Sequence, residues 1–163
     1  MARALIVGCG CHGRELGVEL LGRGWQVRGT SREDSGLRPI EQAGIDASLA
    51  DPDRPGTILD LVGDVAAVAW LMGTAEAEPE VIAAIYGPRL QSLMERLVDT
   101  PVRGFAYEAV GSVQSSRLQE GRAIVQNASE TWRIPVSFLE RQRDSEGWAV
   151  ETANALDSLL EAR

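Results

Sequence analysis

The 163-residue chain contains no lysine, and all 16 of its basic residues are arginine. That excludes a Schiff-base lysine, the lysine of a phosphate-binding P-loop and a tyrosine–lysine proton relay. Cysteine is almost as scarce. Cys9 and Cys11 lie two positions apart and cannot make a disulfide framework, which fits a reducing cytoplasm. No apolar run reaches the roughly 18 to 20 residues of a membrane span, and Met1 to Val7 has neither the charged nor the apolar region of a secretory leader. Positive charge is in deficit, 16 basic against 24 acidic residues for a net charge of −8, which argues against a nucleic-acid groove or an anionic membrane surface. With 44% hydrophobic and 25% charged residues and only 7 prolines, the composition also excludes collagen-like, low-complexity and disordered classes.

What remains has the size of one domain, residues 1–163, long enough to bury a core without staples. Short β-rich runs alternate with longer helical stretches, and Gly, Pro or Asp stands at nearly every switch. Ala4 to Val7 suits a strand buried on both faces. Gly13, Leu16, Gly17, Leu20 and Leu21 then fall on one helical face. Further strands are predicted at Trp25–Thr30, Gly44–Leu49, Val65–Met72, Val102–Val110 and Pro135–Leu139. Helices are expected near 37–43, 57–62, 79–86 and 90–97, with a break at Gly87-Pro88. A helix after a capping box at Ser116 and Gln119, and a last one through Ala149, Ala153, Leu156 and Leu160, complete the pattern. Six strands alternating with helices predict an α/β fold, a doubly wound, mostly parallel six-stranded sheet covered on both faces.

Between the first strand and first helix lies Gly8-Cys9-Gly10-Cys11-His12-Gly13, a GxGxxG in the strand–turn–helix context that gives the pattern its meaning. Gly8 permits the turn, Gly10 lets backbone approach a pyrophosphate, and Gly13 allows helix–sheet contact, while free N–H groups at the helix start attract phosphate. Cys11 and His12 fall in the same turn and are counted with the cofactor residues. Cys-x-Cys-His lacks the four ligands and paired spacing of a zinc site, so no metal is expected.

The end of the second strand indicates which dinucleotide. An acidic residue there would hold the ribose 2′-hydroxyl of NAD, whereas Thr30-Ser31-Arg32 offers two hydroxyl donors and a guanidinium for the 2′-phosphate of NADP. Residues 1–38 hold six Arg and four acids, a local net of +2 that leaves −10 for the remainder. NADP is therefore the expected cofactor, with NAD second and a surface pairing of Arg32 with Glu33 or Asp34 as the competing explanation.

GCGCHGRELGVELLGRGWQVRGTSR resembles the start of NADP-preferring members of the extended or atypical short-chain dehydrogenase/reductase superfamily, the NAD-dependent epimerase/dehydratase-like proteins. The resemblance implies a Rossmann fold in which Asp51 contacts the adenine and Leu71-Met72-Gly73 lies beside the cofactor. The family's catalytic groups, however, have no counterpart. Ala109 and Val110 occupy the expected serine positions, no tyrosine follows Tyr107, no lysine exists, and no long carboxy-terminal substrate region is present in these residues.

Three functions follow, the last a dinucleotide-free structural domain in a larger assembly. One is an NADP(H)-binding protein without the usual catalytic residues, a cofactor-sensing or regulatory module. The alternative is a minimal NADP-dependent oxidoreductase or epimerase-like enzyme drawing on the end of the fifth strand, with Glu108 as general base and Tyr107 or Ser112 as hydrogen-bond donor. The expected partners are the dinucleotide and, on base rates, a second copy of the chain or another protein.

Overall fold

A computed structural model of the chain describes residues 1–161. Six strands, β1 (Arg3–Val7), β2 (Gln26–Ser31), β3 (Asp46–Leu49), β4 (Ala67–Trp70), β5 (Gly104–Glu108) and β6 (Val136–Leu139), form one sheet in the order β3-β2-β1-β4-β5-β6. Every pairing is parallel. The helices are α1 (Cys11–Gly22), α2 (Leu37–Gln42), α3 (Pro55–Leu59), α4 (Pro79–Ala84), α5 (Leu90–Leu97), α6 (Ser115–Trp132) and α7 (Trp148–Glu161). The doubly wound α/β architecture expected from the alternation is the one observed.

Strand periodicity divides the core into two layers. On one face Leu5, Val7, Val68, Trp70, Phe105 and Tyr107 pack with residues of α3, α5 and α6, among them Ile58, Leu93, Leu97 and Val125. On the other, Ala4, Ile6, Ala67, Ala69 and Ala106 meet Leu16 and Leu20 of α1, Ile40 of α2, and Leu156 and Leu159 of α7. The two layers differ in residue size. Aromatic side chains fill the first, whereas alanines on β4 and β5 let α7 lie close to the second; at Gly104 an added Cβ would stand 2.8 Å from the Cβ of Leu159.

Several boundaries differ from those expected. β4 and β5 are shorter at both ends, because Leu71, Met72, Ala109 and Val110 are drawn into loops that meet over the sheet edge. Pro55 starts α3 two residues early, supplying the first-turn position that needs no N–H donor. The break expected at Gly87-Pro88 is present: Gly87 is non-helical and kinks the chain within Ile85–Arg89, between α4 and α5. The capping box is absent: α6 begins at Ser115, and the carbonyl of Gln114 accepts the N–H groups of Arg117 and Leu118 with no side-chain cap. The preceding turn sets that start, since the Val113 N–H donates to the Gly73 carbonyl at 2.9 Å.

Candidate functional site

The sheet order reverses at β1, which has β2 on one side and β4 on the other. In an open parallel sheet the crevice at the strand carboxyl ends there is the place for a ligand. Gly8, directly after β1, has φ +81°, and a Cβ on it would stand 2.5 Å from the Leu71 carbonyl oxygen. Only glycine passes that point. The Gly8 N–H donates to Thr30 Oγ1 at 3.2 Å, the Cys9 N–H to the Thr30 carbonyl at 3.0 Å, and the Gly10 N–H to the Gly8 carbonyl at 2.9 Å.

α1 then begins without a side-chain cap, and the Arg14 N–H to Gly10 carbonyl bond of 2.8 Å closes its first turn. The N–H groups of Cys11, His12 and Gly13 are left without a protein acceptor among the described residues, the arrangement that attracts anions. A Cβ on Gly10 would meet nothing within 4 Å, whereas one on Gly13 would crowd the Gly8 carbonyl at 3.2 Å and Cys9 Sγ at 3.4 Å. The second glycine of the motif opens onto space and the third closes onto the turn.

That space is a cleft of about 290 Å³. Its walls are Gly8, Cys9 and Gly10 of the turn; Thr30, Ser31 and Arg32 at the end of β2; Ala50 and Pro52 after β3; and Leu71, Met72, Thr74 and Ala75 after β4. Arg14 and Arg143 also line it. Among the described residues, three arginines and no carboxylate line this cleft.

Of the expected cofactor residues, Gly8, Gly10, Thr30, Ser31, Arg32, Leu71 and Met72 come together here. Both hydroxyls already make bonds within the protein, Thr30 as an acceptor that keeps its own O–H and Ser31 as a donor. Thr30, 2% exposed, accepts from Gly8, and Ser31 Oγ donates to the Glu33 carbonyl at 2.7 Å. Arg32 is exposed, and its Nη2 reaches the Glu76 carbonyl at 3.2 Å. It forms no ion pair with Glu33 or Asp34.

Five expected residues lie outside the cleft. Asp51 Oδ1 accepts the Asp53 N–H at 2.9 Å, an Asx turn leading into α3, and leaves the wall to Ala50 and Pro52. Gly73 is buried against the β5–α6 turn, where a Cβ on Gly111 would collide with its carbonyl. Gly13 is buried under the glycine turn. The His12 ring packs edge-on against Trp148 of α7, with centroids 5.9 Å apart. Cys11 is exposed on a shallow surface of α1 beside Glu15 and Val18.

The three candidate catalytic residues are not brought together, and two are committed elsewhere. Tyr107 and Glu108 are consecutive in β5 and so point to opposite faces. Tyr107 is fully buried, stacks on Trp70 at 5.4 Å and donates its hydroxyl to the Leu118 carbonyl at 2.7 Å; burial holds its phenol well above the usual range. Glu108 is 1% exposed. Its Oε1 accepts the Gly73 N–H at 2.7 Å and Arg143 Nη2–H at 2.8 Å, and its Oε2 accepts Arg143 Nε–H at 2.7 Å. A carboxylate held in a two-pronged arginine pair is a weaker general base than a free one. Ser112 is exposed in the β5–α6 turn.

The sequence reading missed Arg14 and Arg143. Arg14 follows the third glycine directly, and that adjacency was a usable signal. Arg143 carried none, because the partner that fixes it lies 35 residues away. Among the described residues, no three of His, Cys, Asp or Glu gather as a metal-binding group, and no helix is long and apolar enough to cross a membrane.

No protein-family model and no curated protein matches the chain. Solved structures do. The UDP-glucose 4-epimerase of Thermus thermophilus, in complex with NAD, superimposes with a TM-score of 0.70 at 12% identity, over 92% of this chain and 60% of that one. Vestitone reductase of alfalfa gives 0.64 at 17% identity, over 85% and 56%. The triphenylmethane reductase of a Citrobacter species, complexed with NADP(H), gives 0.63 at 16% identity, over 85% and 49%. The chain has the Rossmann-like fold of these epimerases and reductases. It spans about half their length.

Proposed function

We propose that the chain is an NADP(H)-binding domain that lacks the catalytic groups usual for epimerases and reductases of this fold, and that it serves as a cofactor-sensing module. The observation that carries this reading is the convergence on one cleft of the Gly8–Gly10 turn that leads into α1 with Arg14 and Arg32, with no carboxylate among the described lining residues. An acid at the end of β2 would suit a ribose 2′-hydroxyl, whereas a guanidinium free of any acidic partner suits a 2′-phosphate. The open side of Gly10 gives the diphosphate room to approach the backbone. The residues present therefore fit the dinucleotide. When bound, it would supply a hydride donor or acceptor. This chain's own residues would do the binding: Arg32 would hold the 2′-phosphate, the backbone of the Gly8–Gly10 turn and Arg14 the diphosphate, and Leu71 and Met72 an apolar wall. Sensing rather than turnover is favoured by the engagement of Tyr107 and Glu108 in internal bonds.

The test is a thermal-shift titration of the full chain with NADP, NADPH, NAD and NADH. A ligand at 100 times its dissociation constant adds about 2.7 kcal/mol, enough to raise the midpoint of a domain this size by roughly 5 to 10 °C. A shift with the two phosphorylated forms that exceeds that with NAD or NADH is the expected result. No shift with any of the four, in folded protein free of carried-over nucleotide, overturns the reading.

A further inference from the structure

The three arginines of the cleft are not equivalent. Arg32 follows β2 and Arg14 lies in the first turn of α1, whereas Arg143 comes from the connection between β6 and α7, on the far side of β1 in the sheet order. A dinucleotide with its 2′-phosphate at Arg32 and its diphosphate at the start of α1 has its remaining end toward Leu71, Met72 and Arg143.

Arg143 is rigidly held there. Nε and Nη2 bond both Glu108 oxygens, Nη2 also reaches the Leu71 carbonyl at 2.9 Å, and the side chain is 14% exposed. Nη1 has no protein partner among the described residues. The ion pair is also layered. Arg143 lines the cleft, while Glu108, its counter-charge, is 1% exposed and does not. A ligand in the cleft meets the cation first and the carboxylate behind it, and the other two lining charges are also positive.

The oxidised and reduced forms of a nicotinamide dinucleotide share every group at the adenosine end and differ at the other by one positive charge on the ring. We propose that Arg143, incompletely balanced by Glu108, makes the cleft select the reduced, neutral nicotinamide over the oxidised, cationic one. Repulsion between like charges is strongest where water is excluded, and misplaced like charge is a general means of rejecting a wrong ligand. Arg143 is thus a specificity determinant for the redox form of the ligand, and the protein responds to the ratio of the two forms rather than to their sum. This rests on the dinucleotide reading above.

The test is calorimetric titration of the full chain, at fixed ionic strength, with NADPH, NADP and ADP-ribose 2′-phosphate, which keeps the adenosine end and the diphosphate but has no nicotinamide. The wild type is expected to bind NADPH at least fivefold more tightly than NADP. Glu108→Gln keeps the acceptor for Gly73 and removes the balancing charge, so the ratio widens by a further threefold or more. Arg143→Gln alone would strand a buried carboxylate. The double variant, Glu108→Gln with Arg143→Gln, removes both charges and brings the two affinities within twofold of each other. ADP-ribose 2′-phosphate serves as the reference in each protein, and the NADPH-to-NADP ratio, not the absolute affinity, is what the variants are read by. A purely structural role would weaken both redox forms together. Equal affinities in the wild type, or a ratio that the double variant does not change, overturn the proposal while leaving dinucleotide binding intact. Failure of the wild type to bind any of the three compounds overturns the dinucleotide reading as well.

Discussion

Thr30 Oγ1 accepts the backbone N–H of Gly8 at 3.2 Å, so the end of β2 shapes the glycine loop that follows β1. The hydroxyl read from sequence as a ligand donor is also a scaffold acceptor. Replacing it with the isosteric Thr30→Val strands a part-buried N–H, at an expected cost of about 1 to 3 kcal/mol, while Thr30→Ser keeps the acceptor and most of the stability. Urea unfolding of the two variants checks this; equal stability would mean that the bond contributes nothing.

The first two glycines of the motif should separate stability from binding. Gly8→Ala forces a left-handed φ of +81° and brings a methyl against the Leu71 carbonyl, so it is expected to destabilise by about 2 kcal/mol or more. Gly10 has φ −82° and open space around its missing Cβ. Gly10→Ala should unfold within about 0.5 kcal/mol of wild type and yet lose about tenfold or more in nucleotide affinity, because the methyl enters the path of the phosphates. Paired melting and binding measurements decide it, and a Gly10→Ala protein with undiminished affinity would refute the pyrophosphate role.

How far the sequence could be read followed from the range of the interactions. The strand–turn–helix at Gly8–Gly13 is a local pattern, and both the fold and the position of the cleft follow from it. β5 shows where local reading stops. Glu108 in a central strand was read as a general base, but it is 1% exposed and does not line the cleft. Its partner Arg143 is 35 residues on, so a committed ion pair looked like an available base. The acceptor of Tyr107 was equally out of local reach, since Leu118 belongs to α6. Ser116 and Gln119 had capping spacing, but the Gly73–Val113 bond between two loops sets the start of that helix.

Arg32 tests the choice of nucleotide. It has no acidic partner, so its removal leaves no carboxylate unpaired, and Arg32→Ala should leave stability within about 0.5 kcal/mol of wild type. Loss of a charge-assisted phosphate contact, about 1.5 to 3 kcal/mol, corresponds to a roughly 10- to 150-fold fall in NADP affinity with NAD affinity unchanged. Parallel losses for both nucleotides would show that Arg32 does not read the 2′-phosphate.

The Tyr107 hydroxyl faces α6, where Gly121 leaves room for it, and does not reach the cleft. Tyr107→Phe is therefore expected to lower stability by about 1 kcal/mol through the lost bond to Leu118 and to leave nucleotide affinity unaltered. A fall in affinity without a fall in stability would restore Tyr107 to the site.

Alkaline pH should expose the buried thiol of the glycine turn. Burial pushes Cys9 up to about 12 from an ordinary 9.0, against the smaller opposing effect of Arg14. Between those values the unfolded chain gives up a proton that the folded chain keeps. Stability from this group is therefore complete below pH 9 and is lost as pH rises toward 12, with a slope of at most about 1.4 kcal/mol per pH unit. Tyr86 and Tyr107, raised by burial in the same direction, add to the loss above pH 10. No lysine titrates across this window, so the interval from pH 9 to 10 belongs mainly to the thiol. Cys9→Ala should cost about 1 kcal/mol at neutral pH through lost packing and flatten the pH dependence in that interval. Urea midpoints of the two proteins at about pH 8, 9 and 10 measure both effects, and parallel slopes would assign the alkaline loss to another group.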